Sequence, residues 1–142
     1  MDVDDLQFPV LGTFPNGSLE IAASPMNLTL NTSIGLRDGY YDGLRLVDAR
    51  GKWFRVRGAR KLHGVGRFGG YNLFLNQRIR VALDLEDEHR YAEVEEIRSI
   101  VLADFSAWDG WKSRGDFDVL VRRVQGARTV PEILNALANL VR

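Results

Sequence analysis

Three glycines, Gly64, Gly66 and Gly69, spell G-x-G-x-x-G between Lys61, His63 and Arg67. In the right setting that spacing cradles a nucleotide phosphate. The setting is a strand before the glycines and a helix after them, because the backbone N–H groups at the helix N-terminus hold the pyrophosphate. Here the following residues, YNLFLNQRIRVALDL, alternate apolar and polar as strands do. A kinase-type glycine loop does lie between strands, but it is accompanied by a V-A-I-K lysine, an H-R-D loop and a D-F-G, and the chain contains none of these. The glycines are therefore expected to form a flexible connection between strands that displays Lys61, His63 and Arg67, and no cofactor is expected.

Other catalytic chemistry is equally sparse. The only histidines, His63 and His89, are 26 positions apart, so there is no H-E-x-x-H metal pair, and no G-x-S-x-G supplies a nucleophile. Cysteine is absent, which excludes disulfides and thiolate metal sites. The acidic run DLEDE, Asp84 to Glu88, lacks the alternating ligands and central glycine of a calcium loop. It reads instead as the solvated start of a helix, where acids favour the positive end of the dipole. An RGD triplet at Arg114 to Asp116 and three N-x-[ST] triplets, at Asn16, Asn27 and Asn31, are read as coincidental. No catalytic or metal-binding residue is expected, and an enzyme of unknown type is the third reading of function.

What remains are two surfaces suited to binding. The first is acidic: Glu86, Asp87, Glu88, Glu93 and Glu96 on a helix beginning near Asp87, joined by Asp109 and Trp111 from the loop FSAWDGWKSRGD. Tryptophan is enriched at interface hot spots, and acids around it suit a basic protein partner. Of the two indoles in that loop, Trp108 continues the preceding helix stripe and is expected to be buried, leaving Trp111 for a partner. The second surface is basic: Arg45, Arg55, Arg57, Arg60, Lys61 and Arg67 with Trp53 among them. Such a set neutralises phosphates and stacks a base, the chemistry of a nucleic-acid-binding module. Against it, the arginines on the face of Val47 and Trp53 can simply lie over apolar surface.

Charge is laid out in the same two blocks. Net charge is zero, but residues 37–80 carry +8 and residues 81–119 carry −7. Either the blocks neutralise each other in the fold or they form separate faces for partners; the first is the simpler expectation.

The elements that must position these residues follow from periodicity, which changes from alternation before about residue 85 to a spacing of three and four after about residue 88. In DGLRLVDARGKWFRVRG, a three-residue loop at Ala49, Arg50 and Gly51 sets Leu46 opposite Phe54, Leu44 opposite Val56, Val47 opposite Trp53 and Arg45 opposite Arg55. A second hairpin is expected from Tyr71, Leu73 and Leu75 paired with Ile79, Val81, Leu83 and Leu85. Two shorter strands are expected around Pro25, one through Leu19, Ile21 and Ala23 and one through Leu28 and Leu30. Three helix stripes follow: Tyr91, Val94, Ile97, Ile100, Val101 and Phe105; then Phe117, Leu120, Val121 and Val124, ended by Gly126; then Ile133, Leu134, Leu137 and Val141 behind a Thr129–Glu132 capping box.

The expected fold is α+β: an antiparallel sheet of about six strands over residues 18–85, then helices over 88–106, 116–125 and 130–141 on one sheet face. All 142 residues fit a single domain. The acidic N-terminus MDVDDLQFPV has neither a basic nor an apolar leader region, so a cytoplasmic location is expected.

The stretches YYDGLRLVDARGKWFRVRGARKLHG, EVEEIRSIVLADFSAWDGW and ARTVPEILNAL resemble those of small bacterial α+β proteins, some of which are encoded beside polymorphic toxins as immunity proteins. The likeness spans residues 40–142 and lies in structural motifs, a turn, a helix stripe and a capping box. It implies a non-enzymatic protein that binds another protein, such as a toxin domain encoded nearby, and blocks it; no functional residue is carried over with it.

Overall fold

The computed structural model describes residues 1–70 and 76–140. Its strands are β1 (Val10–Thr13), β2 (Leu19–Ala22), β3 (Leu30–Thr32), β4 (Arg45–Val47), β5 (Lys52–Gly64) and β6 (Arg78–Tyr91). Two one-turn helices, α1 (Pro25–Thr29) and α2 (Ser33–Arg37), flank β3, and three longer ones close the chain: α3 (Val94–Ala107), α4 (Phe117–Gly126) and α5 (Val130–Leu140). The strands form one antiparallel sheet in the order β2-β1-β4-β5-β6-β3, so the α+β class and the order of strands before helices are as expected.

The β4–β5 hairpin has the register read from the sequence, with Arg45, Leu46 and Val47 opposite Arg55, Phe54 and Trp53. Gly51 occupies the left-handed region (φ +83°) and donates its N–H to Asp48 O at 2.8 Å. A side chain there is strained, which is why glycine ends this turn. The turn is held from inside by Asp48, which is fully buried (0 % exposed). Its carboxylate accepts from the N–H groups of Gln7 (3.2 Å), Arg50 (3.0 Å) and Lys52 (3.3 Å) and from Arg50 Nε (2.8 Å).

Alternation sends neighbouring residues to opposite sheet faces, and each face has its own core. Leu11, Val47 and Trp53 pack with Ile97, Val101, Phe105, Leu120, Val124, Ile133, Leu134 and Leu137 of the three long helices. On the other face, Leu44, Leu46, Phe54, Val56 and the β6 row Ile79, Val81, Leu83 and Leu85 pack with Val3, Leu6, Leu28 and Tyr41. Of the expected helix stripes, Ile97, Val101, Phe105, Leu120, Val124, Ile133, Leu134 and Leu137 are buried and Val94, Ile100, Phe117 and Val121 are half-buried against them, whereas Tyr91 ends β6 and is exposed. The capping box is present in shifted form, with Glu132 N–H donating to Thr129 Oγ1 (3.3 Å) and Glu132 Oε2 accepting from Arg128 N–H (2.8 Å). Gly126 is the last residue of α4, and the cap falls on Ala127.

Four local expectations are corrected. Val10–Thr13, ahead of the expected start of the sheet, is a strand, pairing with both β2 and β4. Leu28 lies in α1, where Ser24 caps the helix and Pro25 opens it, so only Leu30–Thr32 is strand. The acidic run does not open a helix: β6 continues through Asp84–Glu88 to Tyr91, because β5 beside it supplies ladder partners and the cations Lys52 and Arg57, with Arg45 reaching Glu88 from β4, and α3 begins at Val94. The partner of β6 is β5 itself, so Lys61–Gly64 is strand and the glycine-rich segment closes a β5–β6 hairpin. The strand expected through Tyr71, Leu73 and Leu75, and Val141 in the last stripe, lie outside the described residues.

Glycine is required at position 64 for a packing reason. A Cβ there would lie against the carbonyl of Gly69 and 2.7 Å from its carbon, a separation no side chain tolerates without backbone movement. The G-x-G-x-x-G spacing therefore reflects the chain folding tightly onto the end of β5.

Candidate functional site

The loop that ends α3 turns on its two tryptophans, and their roles are the reverse of those expected. The stripe Ile97, Val101, Phe105 points to Trp108 as the next buried position, but the helix stops at Ala107 and Trp108 takes an extended backbone. The chain then folds back through Trp111 N–H to Trp108 O (3.3 Å) and Arg114 N–H to Trp111 O (3.2 Å). It is Trp111 that fills the core, 7 % exposed, with its ring centroid 5.0 Å from that of Phe105 and its indole N–H donating to Asp104 Oδ2 at 2.8 Å. A buried indole needs such a partner, and the carboxylate of Asp104, itself buried, gains one.

Trp108 is 59 % exposed yet packed in place. Its ring meets Trp111 edge-on at 5.7 Å and covers the backbone of Gly110, where a Cβ would come within 2.7 Å of Cη2. Beside it lies a groove of about 480 Å³ between the end of α3 and the β1–β2 turn, walled by Leu19, Ala103 and Ala107 and floored by Gly17 and Ser18. Asp109, the next residue along, is almost wholly in solvent and lies 3.9 Å from Lys112 Nζ.

The acids expected around Trp111 do not share a face. Glu88 holds Arg45 through two bonds, to Nε (3.0 Å) and Nη2 (2.9 Å), and Asp87 accepts from Lys52 Nζ (3.1 Å). Glu86 lies 4.0 Å from Arg57 Nε. Glu96 accepts from Trp53 Nε1–H at 3.3 Å and takes both Nη atoms of Arg90 at 3.4 Å. Glu93 and Asp109 flank opposite ends of α3, about 20 Å apart at 1.5 Å per residue. Over this half of the sheet the basic block on β5 and the acidic block on β6 are cross-strand neighbours and cancel.

The same contacts dispose of Trp53 as a base-stacking residue. It is 1 % exposed, beneath α3, with the guanidinium carbons of Arg45 and Arg90 lying 4.1 and 5.1 Å from its ring centroid. Cation–π contact and the Glu88 pair occupy Arg45 as well. Arg57 is shared between Asp84 (3.8 Å) and Glu86. Elsewhere the picture changes: Arg55, Arg60 and Lys61 of β5, and Arg67 beyond its end, are exposed. Lys61 donates to Gln77 Oε1. No carboxylate among the described residues pairs with Arg55, Arg60, Arg67 or Arg78.

Protonation of Glu96 is tied to this assembly. Burial pushes its carboxyl up, but the hydrogen bonds from Arg90 and Trp53 outweigh burial and hold it below the ordinary glutamate range. The Asp87 carboxyl is likewise held low, first by the His89 N–H and then by Lys52. A depressed folded-state pKa contributes stability above the unfolded value, about 4, which is lost as pH falls through the folded value. Urea midpoints are therefore expected to be level near neutrality and to fall on acidification below about pH 4.5, and Glu96→Gln is expected to flatten that fall. An unchanged slope in this variant would assign the acid sensitivity to other carboxylates.

His63 and His89 sit toward opposite ends of the β5–β6 ladder, and no three His, Asp or Glu side chains among the described residues converge as metal ligands. No helix in the described residues is long and apolar enough to cross a membrane. Fold and surface together define a two-core α+β protein whose distinctive exposed features are a fixed tryptophan and a basic strand. Comparisons with protein-family models, curated proteins and solved structures give no match to the chain.

Proposed function

We propose that this chain is a protein-binding protein that anchors its partner on Trp108, and that it acts by occlusion, as an immunity protein blocks a toxin domain. The observation that carries the reading is the posture of Trp108: large, mostly in solvent, and already immobilised by Gly110 and Trp111. An anchor fixed before binding loses little conformational entropy on docking, and tryptophans in such positions dominate interface energetics. The adjoining groove has room for an apolar side chain from the partner. The acidic surface built on Glu86, Asp87 and Glu88 plays no part, because the fold uses those charges internally.

The test is calorimetry against the product of the adjacent gene. Association is expected, and Trp108→Ala is expected to weaken it by about 30-fold, the equivalent of roughly 2 kcal/mol, with an unaltered circular dichroism spectrum. Equal affinity of the variant and the original protein would remove Trp108 from the interface. No association at all would defeat the immunity reading.

A further inference from the structure

β5 has thirteen residues and β4 only three. β4 covers β5 at Trp53, Phe54 and Arg55, with one more bond from Val56 N–H to Leu44 O (3.0 Å). From Arg57 to His63, β5 remains paired to β6 on one side, while its other edge has no backbone partner among the described residues. That leaves about 23 Å of strand whose alternate N–H and C=O groups face outward, a template for another extended chain.

The side chains on this edge select what can pair with it. Arg57, Arg60, Lys61 and His63 lie along it, with Arg55 and Arg67 at its ends and Leu62 contributing an exposed apolar side chain. On β6 the acids beside this stretch, Asp84 and Glu86, sit at the Arg57 end and attend to Arg57, while Asp2 and Asp5 of the N-terminal segment share a hollow with Gly58, Arg60 and Leu62. A second copy of β5 would bring the same cations into register with these, so like-charge repulsion opposes self-association through the edge. An acidic strand meets no such barrier. Nucleic acid fits the charge but not the rest: Trp53, which would stack a base, is buried under α3, and nucleic acid cannot use the open backbone groups in a ladder.

We infer that the free edge of β5 is a second docking surface, separate from Trp108, which captures an extended acidic polypeptide segment by strand addition. Backbone hydrogen bonds supply the pairing, and the arginines and Lys61 select for acidic side chains at alternate positions. The ladder breaks between Val56 and Gly58 and between Lys61 and His63 confine regular pairing to the stretch between them.

The test uses the whole protein, labelled with ¹⁵N, and a synthetic peptide of alternating glutamate and valine long enough to span the edge. Amide exchange is expected to slow by about tenfold or more at alternate residues between Gly58 and Lys61, the regular stretch of the edge. A lysine–valine peptide is expected to leave it unchanged. The charge reversal Arg60→Glu with Lys61→Glu, at exposed positions, is expected to weaken peptide binding by about tenfold while the spectrum of the free protein elsewhere stays the same. Peptide binding without alternate-residue protection would overturn strand addition, and so would an absence of binding at about 1 mM peptide. Displacement of the peptide by a short DNA duplex at lower concentration would overturn the choice of a protein partner. None of these outcomes bears on the Trp108 surface.

Discussion

Trp111→Ala is expected to destabilise the protein by about 3 to 5 kcal/mol, whereas Trp108→Ala, three residues away, is expected to cost less than about 1 kcal/mol. The difference follows from burial. Removing the Trp111 indole opens a cavity against Phe105 and strips the buried Asp104 carboxylate of its N–H donor, so a packing loss and an unsatisfied acceptor add together. Trp111→Phe separates the two: the ring is largely kept and the donor lost, and about 1 to 3 kcal/mol is expected. Trp108 loses mainly solvent-facing surface and an edge contact. Urea denaturation followed by circular dichroism measures all three. If Trp108→Ala proves the more destabilising, the assignment of core and surface in this loop is inverted, and the proposed anchor with it.

Asp48→Ala is expected to cost about 3 kcal/mol or more. The carboxylate is fully buried and collects three backbone N–H groups and a guanidinium. Alanine leaves those donors facing an apolar gap, and each buried donor without a partner costs about 1 to 3 kcal/mol. Because Gln7 is among them, the damage is not confined to the hairpin: the N-terminal segment loses one attachment, keeping the bond from Ala49 N–H to Gln7 O (2.7 Å). Asp48→Asn keeps an accepting oxygen and is expected to cost less than alanine, while its added N–H₂ meets donors where an acceptor stood. Comparable values for the alanine and asparagine variants would show that charge matters more than hydrogen-bond geometry at this site.

Much of the architecture was legible because local chemistry and global fold agree. Asp48 and Gly51 dictate a turn, the alternation around them dictates a register, and the helix stripes from Ile97 and Ile133 onward coincide with the buried residues. The failures share a cause, which is that a neighbour distant in sequence decided the outcome. DLEDEHRY reads as a helix start when taken alone, since acids at a helix N-terminus are favourable. Lys52 and Arg57 across the ladder, and Arg45 from β4, make it a strand instead. Five of the seven residues of the acidic surface read as one helix and the other two as its following loop, so moving the helix start to Val94 disperses them. Trp108 and Trp111 are separated by a helix end that no propensity marks, and only the chain reversal reveals which indole turns inward. The basic character of the hairpin through Arg55, Arg60 and Lys61 was readable, but the open edge beside them was not, because it depends on β4 being short.

Adjacent residues of β4 serve different cores: Leu46 is part of one and Val47 of the other, and Trp53 and Phe54 divide the same way across the ladder. The two halves of the molecule therefore have a common wall and no seam. Lifting the helices exposes the back of the strands that the N-terminal segment holds, and freeing that segment loosens the strands on which the helices rest. A chain built in this way gives up its tertiary structure in one step, and a partner that clamps either face steadies both.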